Sequence, residues 1–276
     1  MAAFTAVINN SNNTATVPAR EYNTCRQVMN GISSPKPLFA YAMDATTNWL
    51  SLSGNYTIQN ISGNNQAGYY NHRVTNGDLD SNVGCVRDTP VKSTIFNGTS
   101  RCLVNRHQYD NPSNFSIEVW FKTDKSGVNN GKIVGFGGSN SSTNISEDNP
   151  NDRNVYLDKD GRVVFGVYPG LVKTIASPIG KNYADNKWHH MVATLSSSGM
   201  KLYLDGRLTG ESANNSAQNY AGYWKFGCGR MLAWQHGDGS QFDGREHFNG
   251  QLQYGAVYSQ ALSSTQVWQH YLSGSS

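Results

Sequence analysis

The stretch that decides the fold is FSIEVWFK, Phe115 to Lys122. Phe115, Ile117, Val119 and Phe121 fall on one face of a period-two pattern, with Ser116, Glu118, Trp120 and Lys122 on the other. That alternation predicts a strand with one buried and one polar side. Downstream come KIVGF, NVYL, RVVFGVY, KWHHMVATL, MKLYL, YWKFG and LQYGAVY, at the spacing of about 8–12 residues expected of an all-β domain. Asp158-Lys159-Asp160-Gly161 joins NVYL to RVVFGVY as a hairpin turn, and Asp205-Gly206 leads MKLYL into RLTGE through a two-residue turn of the primed type. Ser263 to Leu272 reads as a helix, with Ser263 as N-cap, Gln266 completing a capping box and Gly274 just past the end.

Upstream the pattern thins. AFTAVIN, residues 3–9, alternates like a strand, and residues 1–35 are read as an N-terminal arm carrying that one strand. Residues 36–276 are read as one sandwich domain. LFAYAM, Leu38 to Met43, begins its next strand, and the Asn-, Gly- and Ser-rich sequence to about residue 82 reads as long loops over a core. No period of about 20–50 residues repeats, which excludes propellers and solenoids. The expected class is therefore all-β: an antiparallel two-sheet sandwich closed by one short C-terminal helix.

Composition narrows the partners. A formal net charge of +3 and the lack of any Lys/Arg cluster interleaved with aromatics argue against nucleic acid. No apolar run reaches the roughly 18 residues of a transmembrane segment, and the N-terminus lacks the charged-then-apolar pattern of a signal peptide, so a mature form is expected. Cys25, Cys85, Cys102 and Cys228 are even in number with no CxxC pair, which predicts two disulfides with three connectivities open. Disulfides imply an oxidising, secreted or cell-surface setting. The Asn-x-Ser/Thr triplets, such as those at Asn55, Asn60 and Asn114, are what an Asn-rich chain produces by chance.

FNGTS (Phe96 to Ser100), FSIEVWFKT, KWHHMVATL, MKLYLDGRL and FNGQLQYGAVYSQALSSTQVWQHYLSG stand in the order of a laminin G-like, concanavalin A-like lectin/glucanase domain, which residues 36–274 resemble. RNVYLDKDGRVVFGVYPGLVKTIASP is similar in particular to a secreted group of actinobacterial surface proteins, some with a Cys near the start and another just before Arg-Asp, as in Cys85-Val86-Arg87-Asp88. The resemblance implies a jelly roll and favours pairing Cys25 with Cys85 and Cys102 with Cys228. It also raises calcium as the one cofactor, with Asp44 and Gln253 as ligands. Gln253 replaces the usual aspartate, leaving Asp44 as the one carboxylate for a hard cation.

Catalytic chemistry is not visible. The glucanases of this fold use Glu-x-Asp-x-x-Glu on one strand, and no such triplet occurs. Glu118 stands alone, while Glu147, Asp148 and Asp152 lie in or beside the loop EDNPND and read as solvated charges. His189 and His190 are adjacent on a strand and point to opposite faces, so they cannot chelate one metal together. SGVNNGK is one residue short of a phosphate-binding loop and lacks its hydroxyl residue. Trp188 and Trp268 sit at core spacing and read as packing. Trp234 lies in the Gly- and charge-rich MLAWQHGDGSQFDGREH, where no periodicity buries it. A loop ring flanked by polar forks suits a sugar; the competing reading folds it onto its own sandwich.

The expectation is a non-catalytic extracellular recognition or adhesion module. It would bind glycan or a surface or matrix protein through Trp234, His236, Trp224, Tyr168, Arg153 and Asp152. A second expectation is the subunit of a surface filament that self-assembles through the N-terminal strand. A third is a divergent glycoside hydrolase.

Overall fold

The computed structural model describes residues 5–10, 13–18, 23–31, 35–50, 55–88, 91–126, 129–232, 234–242, 244 and 246–275. Two antiparallel sheets form a sandwich. In the eight-stranded sheet Phe115–Lys122 is central, paired with Trp188–Ser196 on one side and Asn249–Tyr258 on the other. Gly199–Leu204 and Arg207–Ser212 extend one edge, Ser93–Asn97 and Leu79–Asp80 the other, and Phe39–Tyr41 pairs with Asn249–Tyr258 as the eighth described strand. The ten described strands of the second sheet run Lys173–Ala176, Val163–Val167, Asn151–Leu157, Lys132–Gly137, Ala221–Phe226 and Leu103–Asn105, and continue through Gly68–Tyr70, Asn55–Ile58 and Asn48–Leu50, with Tyr109–Asp110 paired beside Ala221–Phe226.

Phe115, Ile117, Val119 and Phe121 are fully buried between the sheets with Phe136, Phe165, Trp224 and Phe226. The opposite face of that strand departs from expectation: Ser116, Glu118 and Trp120 are buried too. The C-terminal helix Ser264–Gly274 and the short helix Cys25–Met29 pack together. With Met29, Val192, Tyr203, Tyr258 and Val267 they bury Trp120 in a second cluster. Alternation shows which side is apolar, but it cannot show that a polar side has internal partners.

Local chemistry sets the turns and ends. Asp205 (φ 51°) and Gly206 (φ 77°) both take positive φ, as the primed hairpin requires. Asp158 Oδ1 accepts from the N–H groups of Asp160 and Arg162 at 3.0 and 2.9 Å, closing the turn at Gly161 (φ 75°). Ser263 accepts from the Gln266 N–H and Gln266 returns the bond, giving the predicted capping box. Thr24 and Gln27 form another on Cys25–Met29, a helix the sequence reading left in the arm.

The arm carries two strands rather than one. Thr5–Asn10 pairs antiparallel with Asn13–Pro18, which forms the second half of a hairpin. Residues 3 and 4 of AFTAVIN lie outside the described residues. The hairpin forms a separate two-stranded sheet among the described residues, and nothing in it supports assembly through this strand. The region read as long loops contributes Asn48–Leu50, Asn55–Ile58 and Gly68–Tyr70 to the ten-stranded sheet. Strands of three or four residues among Asn and Gly are too short to register as alternation. Both disulfides join the favoured partners, Cys25 with Cys85 and Cys102 with Cys228.

Candidate functional site

Asn151–Leu157 and Val163–Val167 pair so that Leu157 faces Val163 and Asn154 faces Gly166. Their outer face is not bare. Tyr156 and Val164 carry a small cluster with Met231, Trp234 and Phe242, all contributed by the segment after the Ala221–Phe226 strand. Trp234 lies flat enough on this sheet that a Cβ at Gly166 would come within 2.5 Å of its Cζ3. Its indole N–H donates to Asn151 Oδ1 at 2.5 Å. The ring is only 2% exposed, so of the two readings Trp234 takes the one that folds it onto its own sandwich. Gly166 opens the seat, and sheet packing buries the ring.

One side of Trp234 nevertheless borders a cavity of about 290 Å³. Half-buried Tyr168 forms another wall, and Asn149, Asn151, Gln218 and Arg230 bring polar groups to it. Val172 and exposed Leu232 complete the rim. Rings, planar amides and a guanidinium thus converge on one space, and none of the described lining residues is Asp or Glu.

Behind the walls lies a buried ion pair. Asp152 Oδ1 accepts from the N–H groups of Arg153 and Tyr168 at 2.6 and 2.8 Å. Oδ2 accepts from the Gln218 N–H at 2.6 Å and Arg153 Nη1 at 3.2 Å. Arg153 donates onward to the Pro112 and Gln218 carbonyls, and its guanidinium lies 5.0 Å from the Phe136 ring centre. Burial raises the Asp152 pKa, against the pull of Arg153 and the three backbone N–H bonds. The pair was expected to meet a ligand; fully buried, it instead fixes the backbone of two wall residues, Tyr168 and Gln218.

Two more expected contacts lie elsewhere. Trp224 is fully buried in the main core, 5.4 Å from Phe115 and 4.9 Å from Phe136 by ring centres, because its position on Ala221–Phe226 faces inward. His236 is 3% exposed; its Nδ1 accepts from the Lys159 N–H and its ring packs on Phe242, tying the Asp158–Gly161 turn to the covering segment. Of the six expected residues, the structure brings Tyr168 and Trp234 to the cavity and sets Asp152 and Arg153 behind it. Asn149, Asn151, Gln218 and Arg230 were missed. Asn149-Pro150-Asn151 was legible as a loop, whereas nothing around Gln218 or Arg230 signals a shared wall between residues so far apart in sequence.

Of the scattered acids, Glu147 is exposed as expected, whereas Asp148 and Glu118 are buried and paired. Asp148 is buried 2.9 Å from Lys225 Nζ and 4.0 Å from Lys132 Nζ. Burial, partly offset by Asp148, pulls Lys132 down to about 8. Glu118 Oε1 meets His190 Nε2 at 2.8 Å, and Oε2 meets the Tyr258 hydroxyl at 2.8 Å and His270 Nδ1 at 2.9 Å. Burial pushes the Glu118 pKa upward, but the two histidines outweigh it and hold the carboxyl well below the usual range. An acid can be buried when paired in this way, and sequence does not show such pairing. His189 and His190 do occupy different surroundings: His189 lies between Asp185 and Asp205.

The residues named for calcium are engaged otherwise. Gln253 Oε1 accepts from the N–H groups of Gly84 and Cys85, both at 3.0 Å, and Nε2 donates to the Lys92 carbonyl. Asp44 pairs with Arg26 at 2.5 Å.

Residues 96–268 match the family model described as the concanavalin A-like lectin/glucanases superfamily. No curated protein matches. Among solved structures, the chain is similar to Trypanosoma rangeli sialidase in complex with the inhibitor DANA, with a TM-score of 0.55 at 11% identity. That match covers 87% of this chain and 33% of the sialidase, so the chain spans about a third of that protein. Domain 4 of AbnA, a GH43 extracellular arabinanase from Geobacillus stearothermophilus solved with arabinotriose, gives 0.51 at 15%, covering 86% of this chain and 98% of that one. The binding domain of Paraclostridial Mosquitocidal Protein 1 gives 0.51 at 16%, covering 84% and 52%. At these identities the likeness is one of fold.

Proposed function

The chain belongs to the concanavalin A-like lectin/glucanases superfamily, and on that premise we propose that it is a non-catalytic carbohydrate-binding module holding a saccharide in the Tyr168–Trp234 cavity. The observation that carries this reading is the convergence of Tyr168 and Trp234 with three amides and Arg230 around about 290 Å³. Sugars present apolar C–H faces to rings and hydroxyls to planar amides and guanidinium groups. The Asp152 carboxylate clamps the backbone at Tyr168 and Gln218, so two walls are preorganised before a ligand arrives. The similar domain 4 of AbnA was solved in complex with arabinotriose, which agrees with this reading.

Hydrolysis needs an acid and a second carboxylate on either side of the scissile bond. Among the described residues the cavity is lined by amides, a guanidinium, rings and the aliphatic side chains of Val172 and Leu232, with no carboxylate. The module works outside the cell, where two disulfides persist. Among the described residues no helix is long and apolar enough to cross a membrane.

Calorimetric titration with soluble arabino-, xylo-, manno- and gluco-oligosaccharides tests the proposal. At least one is expected to bind without being cleaved, and Tyr168→Ala should weaken it by about tenfold or more, roughly 1.4 kcal/mol. Binding indifferent to Tyr168→Ala, or release of reducing ends, would overturn it.

A further inference from the structure

On the other side of the sandwich, beside the C-terminal helix, a second cleft of about 430 Å³ opens over the eight-stranded sheet. Its volume falls in the range of about 300–1,000 Å³ typical of small-molecule sites. Three rings from separate elements shape it: Trp120 from the central strand, Trp188 from the neighbouring strand and Tyr271 from the helix. Trp120 and Tyr271 lie nearly parallel, 17° between planes and 5.9 Å between centres. Tyr271 also contacts Trp268, a ring 39% exposed, at 5.6 Å.

Two glycines give Trp120 its place. A Cβ at Gly84 would come within 2.7 Å of the indole and one at Gly274 within 2.4 Å. The wall that this creates carries an unmet demand: the Trp120 ring is 3% exposed and its N–H has no acceptor among the described residues. A buried donor left unpaired costs about 1–3 kcal/mol. The charges at the rim, by contrast, are already partnered. Lys187 pairs with Asp185 at 3.2 Å, and Asp205 takes His189 Nδ1 at 2.9 Å and the His190 N–H.

We infer that this Trp120–Trp188–Tyr271 cleft is a second saccharide site, for a neutral sugar. The half-buried rings of Trp188 and Tyr271 supply stacking surfaces for a pyranose or furanose ring, and Trp120, stacked behind Tyr271, backs that wall. The rim charges pair with one another, Lys187 with Asp185 and His189 with Asp205, so stacking and neutral hydrogen bonds dominate recognition there. This rests on the glycan-binding reading and extends it, because sites on opposite faces make one sandwich bivalent and able to bridge two chains of a polysaccharide.

The test is the same neutral oligosaccharide panel titrated into the whole protein, with the indole ¹H–¹⁵N signals followed by NMR. Two sites per chain are expected, with the Trp120 indole signal shifting as the second fills. Trp188→Ala should abolish that shift and leave one site, while Trp188→Phe, which keeps a ring, should retain both. Unchanged near-ultraviolet circular dichroism outside the lost indole contribution shows that the variant has folded. A single site sensitive only to Tyr168→Ala would overturn the second site and leave the proposed function standing. No binding by any sugar would overturn both.

Discussion

Glu118 decides how the sandwich and its C-terminal helix are joined. Its carboxylate bridges His190 on one strand, Tyr258 on another and His270 on the helix, all buried. Removing one partner of a buried charged network leaves the others uncompensated, at a cost of about 3–5 kcal/mol. Glu118→Gln should lower the urea midpoint accordingly, and an unchanged midpoint would contradict the bridging role. The pH dependence has a definite sign. The folded pKa is depressed, so the stabilisation is present above the ordinary carboxylate value of 4.5 and is lost as pH falls from there toward the lower folded pKa. Wild type should therefore lose stability below pH 4.5 more steeply than Glu118→Gln, as thermal melts across acid pH would show. Sequence reading placed Glu118 on the polar face of its strand; its partners lie 72, 140 and 152 residues away, beyond what local pattern reports.

At the scale of elements, the cavity depends on how the segment after Phe226 is anchored. Cys228 lies just before Arg230 in that segment and is bonded to Cys102, beside the Leu103–Asn105 strand. A link closing a sequence separation of 126 residues is worth about 2–5 kcal/mol. Replacing both cysteines with serine should lower the denaturation midpoint by that order and weaken saccharide binding as Arg230 and Trp234 lose their seat. Binding unchanged in the double variant would show that sheet packing alone positions the segment. Elements with sustained alternation were legible in the sequence: Phe115–Lys122, Trp188–Ser196, Asn249–Tyr258 and the capped helix. Gly68–Tyr70 and Asn55–Ile58 were not, because three or four residues carry too little period and the sheet edge that accepts them is assembled from distant chain. Trp234 was recognised as unusual, but its burial depends on Gly166, a position that announces nothing until the two meet.

The whole molecule is a sandwich covered on both outer faces. Helices Cys25–Met29 and Ser264–Gly274 lie over one sheet, and the segment carrying Met231, Trp234 and Phe242 lies over the other. Each cover leaves a cleft at its margin, which is where ligand contacts are proposed. Fold class and both disulfides followed from local pattern and family resemblance, whereas the walls of the cavity required four separate stretches of chain to be brought together. The most direct measurement is a crystal structure with the tightest-binding oligosaccharide of the panel. A sugar ring is expected against Tyr168, with hydroxyls bonded among Asn149, Asn151, Gln218 and Arg230. A saccharide bound elsewhere, with that cavity holding only solvent, would contradict it.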